Sequence, residues 1–140
     1  MPSTPDARAS VLLIEDEAPN RALARAVLAR ATDPRVANVV LLEAPSLARA
    51  REILASEPVD LVLLDVRLPD GDGLELASEL YARGDANRPT VVVLSASVLP
   101  AERDAALRSG ADAFLAKPYH PADLVAVVAR LLDDRTAEPA

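Results

Sequence analysis

The segment Asp60-Leu-Val-Leu-Leu-Asp65-Val-Arg-Leu-Pro69-Asp-Gly-Asp-Gly73 decides the fold, because a wholly apolar run leads straight into a carboxylate and a Pro- and Gly-containing loop. Its apolar part, residues 61–64, is continuous rather than alternating, which is typical of a parallel strand buried on both faces. Four more apolar runs are predicted strands, the last of them weaker because it contains two alanines: residues 11–14, 39–42, 91–94 and Ala113–Ala116.

Helical patterns separate these apolar runs. They cover residues 18–31, 46–56, 74–83, 100–109 and 121–132. The first, fourth and fifth carry a proline in their first turn, and Gly84 and Gly110 follow two of the five, as is typical of helix starts and stops. The alternation predicts an α/β protein in which a doubly wound, five-stranded parallel sheet carries five helices on its two faces.

The composition limits the function classes that stay open. The chain has 140 residues, which suits one domain, and its 51% hydrophobic content is that of a globular protein. Aromatic residues make up only 2%, so Val, Leu, Ile and Ala must fill the core. A net charge of −7 argues against nonspecific binding to nucleic acid or to an anionic membrane. With no Cys and a single His, disulfides are excluded and a His/Cys zinc site is disfavoured.

The ends of the chain carry no targeting pattern. The polar N-terminal region lacks the apolar stretch of a signal peptide, and no apolar run approaches the roughly 20 residues that span a bilayer. We therefore expect a cytoplasmic protein. Residues 10–133 are expected to form one domain, between a disordered segment at 1–9 and a polar tail at 134–140.

Polar side chains follow the predicted strands at the point where each strand ends. Glu15 and Asp16 follow the first strand, Asp65 the third, Ser95 the fourth and Lys117 the fifth. Ligands of doubly wound sheets bind outside the carboxyl ends of the strands. One such residue taken alone is more often a solvated loop residue, but the coincidence of all of them indicates a common site.

The acids in this set indicate the chemistry. Two carboxylates about 4 Å apart repel by roughly 4 kcal/mol at an effective dielectric constant of 20. A hard divalent cation relieves this repulsion, and carboxylate, carbonyl and water oxygens are the ligands that magnesium favours. A carboxylate can also act as a nucleophile and form an aspartyl phosphate. The pattern therefore predicts magnesium-dependent phosphoryl chemistry, with Lys117 and Ser95 binding the phosphoryl oxygens.

The same residues resemble the receiver domain of two-component response regulators, over nearly the whole chain. Val11-Leu-Leu-Ile-Glu-Asp-Glu17 is similar to the first strand and acid pair of the family, and residues 60–73 are similar to its phosphorylation loop. Residues 89–96 are similar to the hydroxyl-bearing fourth strand, and residues 110–119 to the fifth strand with its Lys-Pro ending. The resemblance implies a single-domain, chemotaxis-regulator-like protein with a flavodoxin-like fold and the strand order 2-1-3-4-5.

The resemblance also implies a role for each matching residue. Asp65 would be the phosphoacceptor. Asp16 and Asp65 would bind Mg²⁺ directly, Glu15 through a water molecule, and Arg67 through its backbone carbonyl, with Mn²⁺ able to substitute. Ser95 would bind the phosphoryl group.

Three further roles follow from the fifth predicted strand. Lys117 would hold the phosphoryl group together with Ser95. Phe114 would be the aromatic side chain that turns inward when Ser95 moves toward the phosphoryl group. The Lys117–Pro118 peptide bond would be cis, an isomer that is essentially confined to proline.

Some positions depart from the family pattern or vary within it. Residues 31–38 and the turn at 43–46, which lacks the usual Gly, leave the boundaries between the first helix and the second strand open. Arg67 and Ser97 stand where family members vary and where the lifetime of the phosphoryl group is tuned. Arg21, Arg25 and Arg30 are expected to form a solvated face of the first helix, with docking of a kinase as the alternative.

The function implied is that of a stand-alone receiver. A histidine kinase or phosphotransfer protein would phosphorylate Asp65, and the surface of the fourth helix, fifth strand and fifth helix would signal to a downstream protein. The chain would be a monomer or a phosphorylation-dependent dimer. It would not be an enzyme beyond its own magnesium-dependent phosphorylation and slow autodephosphorylation.

The same class of fold also serves other functions. A phosphorylation-independent adaptor is the alternative, although the complete set of acids, Ser95 and Lys117 argues against it. A phosphohydrolase with an aspartate nucleophile is rejected, because its second Asp would stand where this chain has Arg67. A dinucleotide-binding enzyme is disfavoured, because no G-x-G-x-x-G follows the first strand.

Overall fold

Seven strands are present in a computed structural model that describes residues 8–84, 88–96 and 99–137. They are β1 (Ser10–Ile14), β2 (Val40–Ala44), β3 (Leu61–Asp65), β4 (Arg67–Leu68), β5 (Gly71–Asp72), β6 (Thr90–Ser95) and β7 (Ala113–Ala116). The five longer strands form one parallel sheet in the order β2-β1-β3-β6-β7, and β4 and β5 form a small antiparallel pair. The predicted doubly wound, flavodoxin-like strand order is confirmed.

Six helices cover the two faces of this sheet. One face carries α3 (Leu47–Ser56), α4 (Gly73–Ala82) and α5 (Pro100–Arg108). The other carries α1 (Ala18–Ala29), α2 (Pro34–Ala37) and α6 (Pro121–Ala137). Because both faces are covered, the central strands must be apolar along their whole length rather than at alternate positions.

The central strand β3 shows why its sequence is a continuous apolar run. Leu61, Val62, Leu63 and Leu64 have no exposed surface. Val62 and Leu64 belong to the core under α3, α4 and α5, whereas Leu61 and Leu63 belong to the core under α1, α2 and α6. The strand therefore stabilises both halves of the protein and ends at the half-buried Asp65.

The short helix α2 was not predicted, and it accounts for the unusual segment before β2. Asp33 caps it by accepting a hydrogen bond from the backbone N–H of Arg35, and Pro34 occupies its first turn. Val36, which belongs to this helix, is fully buried. A helix of 4 residues is too short for apolar periodicity to predict it, since one buried side chain forms no pattern.

The short strands β4 and β5 were not predicted either, and the remaining differences from the prediction lie at the ends of elements. Strand β2 begins one position later than expected and continues to Ala44, because its pairing with β1 extends through Leu13↔Glu43 and Ile14↔Ala44. Helix α6 continues to Ala137, past its expected end at Leu132. Within the described part of the chain, no helix is long and apolar enough to cross a membrane.

Gly73 fixes how closely α4 approaches the end of β3. A Cβ atom at this position would lie 2.3 Å from the backbone oxygen of Asp65 and 3.2 Å from its carbonyl carbon. The Gly73 N–H donates a hydrogen bond of 2.7 Å to the carbonyl of Val66. The first turn of α4 is therefore pressed directly against the main chain of Asp65.

We expect Gly73→Ala to lower the free energy of unfolding by about 2 kcal/mol or more, because the added methyl group must displace the backbone of Asp65. Gly84→Ala is the matched control. Gly84 has a positive φ of 62°, and its Cβ would make only an ordinary contact of 3.8 Å with the backbone oxygen of Ala82, so that substitution should cost only about 1 kcal/mol of conformational strain. Urea denaturation of both variants measures the two losses. Equal losses would contradict a specific steric contact at Gly73.

Candidate functional site

Three carboxylates meet at the carboxyl edge of the sheet. Glu15 and Asp16 directly follow β1, and Asp65 is the last residue of β3, which pairs with β1 in parallel. One carboxylate oxygen from each residue lies within 4.8 Å of the others. Glu15 is buried, Asp65 is half-buried and Asp16 is exposed, so the cluster opens to solvent on one side. The structure thus brings together the acids that the sequence placed at separate strand ends.

The ammonium group of Lys117 lies among these acids. Its Nζ donates a hydrogen bond of 2.8 Å to Oε1 of Glu15 and one of 3.2 Å to Oδ2 of Asp65. The backbone N–H of Lys117 donates to the carbonyl of Ser95 at 2.8 Å, which ties the end of β7 to the end of β6. The Lys117–Pro118 peptide bond is cis, as expected.

The charges in this cluster do not balance. Three carboxylates and one ammonium leave two negative charges when all four groups are ionised (3 − 1 = 2). A divalent cation matches this residual charge, and the donor set of carboxylate oxygens suits a hard ion such as Mg²⁺. The residues present therefore fit the expected metal.

The pKa shifts show how burial and neighbouring charges act on each ionisable group of the cluster. Burial raises the pKa of Asp65, and the nearby charge of Glu15 adds to this, whereas the ammonium of Lys117 offsets only part of it. Burial also disfavours the ionised form of Glu15, but hydrogen bonds from Lys117 and from the Glu17 N–H lower its pKa overall. Burial opposes the charged form of Lys117, yet its contacts with Glu15 and Asp65 raise its pKa. Of Glu15 and Asp65, it is therefore Asp65 whose ionised form is disfavoured.

The predicted phosphoryl-binding and tuning residues lie at different depths. Ser95 is buried at the end of β6, and it lines a cleft of about 470 Å³ together with Asp65 and Lys117. Arg67 is exposed at the rim of this cleft, and its backbone N–H donates to Oδ1 of Asp65 at 3.4 Å. Ser97 lies outside the described residues.

Phe114 lies in β7, where its half-buried ring packs against the core under α3, α4 and α5. The guanidinium carbon of Arg103, on α5, is 5.8 Å from the centre of this ring, within the range of a cation–π contact. Phe114 therefore links β7 to α5 on one side of the sheet.

Asp70 and Arg21 support the site, although neither was predicted for that role. Asp70, in the loop after Asp65, accepts hydrogen bonds from the N–H groups of Leu47 and Ala48 at 2.9 Å each and so caps helix α3. These two N–H groups lower the pKa of Asp70. An acid after a proline in a loop is a signal for a turn, but nothing in the sequence pairs it with a helix 22 or more positions away.

The expectation for Arg21 was wrong. Its side chain does not lie on a solvated face of α1 but turns back toward the acids, where it donates hydrogen bonds to the carbonyls of Glu15 and Asp16. Sequence periodicity places a residue on a face of a helix, but it does not show that a long side chain reaches into the preceding loop.

Comparison with known proteins is consistent with this geometry. The family model of the response regulator receiver domain matches residues 11–129. The chain is 37% identical over 120 residues to the two-component response regulator ORR41 of Oryza sativa subsp. japonica, which covers 86% of this chain and 91% of that protein. It is also 37% identical over 117 residues to the KDP operon transcriptional regulatory protein KdpE of Escherichia coli (strain K12), covering 84% of this chain. That match spans only 48% of KdpE.

Solved structures share the fold. A CheY-like response regulator receiver domain protein from Methanospirillum hungatei JF-1 matches 95% of this chain and 100% of its own with a TM-score of 0.81, at 20% identity. The BeF3-activated receiver domain of DrrB matches 90% of this chain and 98% of its own with a TM-score of 0.74, also at 20% identity. At such identities these likenesses establish the architecture alone.

The raised pKa of Asp65 predicts that its charge destabilises the metal-free protein. We expect Asp65→Asn to raise the free energy of unfolding by about 1 kcal/mol at pH 7 without Mg²⁺, or roughly 3 °C in melting temperature. Because the folded state binds this proton more tightly than the unfolded state does, the advantage of the variant should shrink as pH falls and be absent below about pH 4.

Thermal melts across this pH range, with and without Mg²⁺, provide the measurement. Adding Mg²⁺ should stabilise the wild type more than the variant and so reverse the order. A variant that is less stable than the wild type in EDTA at pH 7 would refute the assignment of unfavourable charge to Asp65.

Proposed function

The chain belongs to the response regulator receiver domain family of two-component systems, and on this premise we propose that it accepts a phosphoryl group on Asp65 and relays the event to a protein partner. The observation that carries the proposal is the ammonium of Lys117, 3.2 Å from the carboxylate of Asp65, within a cluster of three acids. Asp65 combines its position at the end of β3 with a raised pKa, whereas the pKa of Glu15 is lowered. The donor would be a histidine kinase or a phosphotransfer protein, as expected for the family.

The proposed step is an in-line transfer from phosphohistidine. An ionised Oδ atom of Asp65 attacks the phosphorus, the P–N bond breaks, and the imidazole of the donor leaves with the bonding electrons. The product is an acyl phosphate, in which a group with about two negative charges replaces the single charge of the carboxylate. The ammonium of Lys117 then gains a stronger ion pair, and the Ser95 hydroxyl is available to donate a hydrogen bond to a phosphoryl oxygen.

The metal ligands follow from the acid cluster. Glu15, Asp16, Asp65 and the backbone carbonyl of Arg67 would hold Mg²⁺, and Mn²⁺, which takes the same oxygen ligands, is expected to substitute. When bound, the ion supplies positive charge for the carboxylates and the phosphoryl oxygens. Both carboxylate oxygens of Glu15 already accept hydrogen bonds, from Lys117 and from the Glu17 N–H, which supports its contact with the metal through water rather than directly.

The output surface is proposed on the side of Phe114. Its ring packs into the core and under Arg103 of α5, so a movement of Ser95 toward the phosphoryl group would be passed to β7 and α5. The surface formed by α5, β7 and α6 would then bind the downstream protein by a shift between two pre-existing states. Arg67, which is exposed at the cleft, would influence how long the phosphoryl group survives.

We expect Asp65→Asn to abolish phosphoryl incorporation from acetyl phosphate in the presence of Mg²⁺, because the amide is not a nucleophile. Asp104→Asn, an equal change of charge at an exposed position on α5, should label like the wild type. Mass spectrometry of the intact proteins reports the added phosphoryl group. Labelling of Asp65→Asn at the wild-type level would exclude the proposed phosphoacceptor.

A wild-type protein that neither labels nor responds to Mg²⁺ with beryllofluoride would instead favour the phosphorylation-independent adaptor. Nuclear magnetic resonance spectra recorded during a beryllofluoride titration distinguish the two, because the adaptor hypothesis predicts unchanged signals. The proposed receiver should show shifts of residues at the cleft and along β7.

Lys117→Ala should separate metal binding from phosphoryl transfer. Removing one positive charge beside Glu15 and Asp65 should leave Mg²⁺ affinity unchanged or increase it, since like charges repel. The same variant should label at least tenfold more slowly than the wild type, because the charge on the phosphoryl oxygens loses its partner. Isothermal titration with Mg²⁺ and rates of labelling give the two values, and parallel losses of both would contradict this division of roles.

A further inference from the structure

Arg21 makes an unusual pair of contacts with the loop that carries two of the acids. From the first turns of α1 its Nη1 donates to the backbone carbonyl of Glu15 at 2.8 Å and to that of Asp16 at 3.1 Å. These are consecutive peptide groups, so a single nitrogen holds the main chain on which both side chains are mounted. The side chain of Arg21 is only 21% exposed, which agrees with its contacts to this loop.

The guanidinium group is itself held from the opposite side. Its Nε is 3.5 Å from Oε1 of Glu43, on β2, and Oε2 of the same carboxylate accepts a hydrogen bond of 2.6 Å from Arg25. The next residue of β2 also contacts the acid loop, because the carbonyl of Ala44 accepts a hydrogen bond of 3.0 Å from the Glu15 N–H. The acid loop is therefore fixed at its N–H by β2 and at its two carbonyls by α1.

We propose that Arg21 is a positioning residue for the metal site, which sets the directions of the Glu15 and Asp16 carboxylates and thereby the affinity for Mg²⁺. The inference rests on the proposed function of the site. Mg²⁺ demands near-ideal octahedral geometry, so small rotations of its ligands weaken binding. The rigid, planar guanidinium group can contact both carbonyls and Glu43 at once, whereas a lysine ammonium is a single point on a flexible stem.

The charge of Arg21 alone would act in the opposite direction. A guanidinium next to the acid cluster repels a divalent cation, so a purely electrostatic role predicts tighter Mg²⁺ binding when the charge is removed. A positioning role predicts weaker binding even when the charge is kept. A substitution that keeps the charge therefore distinguishes the two roles, because only the positioning role then predicts weaker Mg²⁺ binding.

The test compares Arg21→Lys with Arg25→Lys, the same conservative change on the same helix and beside the same Glu43. Isothermal titration with Mg²⁺ alone should give a dissociation constant about tenfold higher for Arg21→Lys than for the wild type, and one within about twofold for Arg25→Lys. Phosphoryl labelling of Arg21→Lys by acetyl phosphate should be slow at low Mg²⁺ and return to the wild-type rate at saturating Mg²⁺.

A merely structural Arg21 would lower the melting temperature but leave the Mg²⁺ dissociation constant as in Arg25→Lys, and that result would overturn the inference. If Arg21→Lys does not fold, Glu43→Asp serves in its place, because it keeps both charges but draws the carboxylate back from the guanidinium group that it orients. That variant should bind Mg²⁺ several-fold more weakly, and unchanged binding would equally overturn the inference. Failure of the wild type itself to bind Mg²⁺ or to label would overturn the proposed function first, and the wild-type measurement shows this separately.

Discussion

Like charges forced together at one edge of a parallel sheet are the constraint on which this protein depends. Parallel strands all end at the same edge, so acids that follow β1 and β3 cannot avoid one another. A single ammonium, that of Lys117, lies between them and cannot neutralise all three. The rest of the site can be understood as structure that keeps the repelling groups in place.

Restraints on the acids come from elements that are distant in sequence. Gly73 brings the first turn of α4 against the main chain of Asp65, and Asp70 fastens the following loop to the start of α3. Arg21 performs the corresponding task for the loop after β1. Each restraint acts on backbone and occupies no oxygen of the three clustered carboxylates, which suits the proposed cation site. Rigid main chain therefore carries side chains that would otherwise move apart.

The sequence predicted the parts of this arrangement that are local and repetitive. Continuous apolar runs such as residues 61–64 identify buried parallel strands, and the residue after each run is then placed by topology alone, so Asp65 could be located. The helix Pro34–Ala37 escaped because its one buried side chain, Val36, makes no periodic pattern. The predicted strand β2 ended too early because Glu43 interrupts its apolar run, whereas pairing with β1 continues the strand to Ala44.

Arg21 and Asp70 escaped for a different reason. Their roles depend on contacts with main-chain groups of another element. The sequence does not show which main-chain groups a side chain will contact. A charged residue on a helix or a polar residue in a turn is often simply exposed to solvent. Only the structure shows whether its side chain contacts the backbone of another element. Electrostatic sites are thus predictable in their reacting groups, which stand at topologically fixed positions, and much less so in their supports.

The unfavourable ionisation of Asp65 then has a functional meaning. Without metal, the acids carry a surplus of two negative charges beside an apolar core, and the pKa of Asp65 is raised. A divalent cation would cancel this surplus, and the proposed phosphorylation would restore part of it by replacing one charge with about two. Because Lys117 already shares its ammonium between Glu15 and Asp65, any change of charge on Asp65 must alter both contacts at the end of β7. The proposed response to phosphorylation would depend on this initial excess of negative charge.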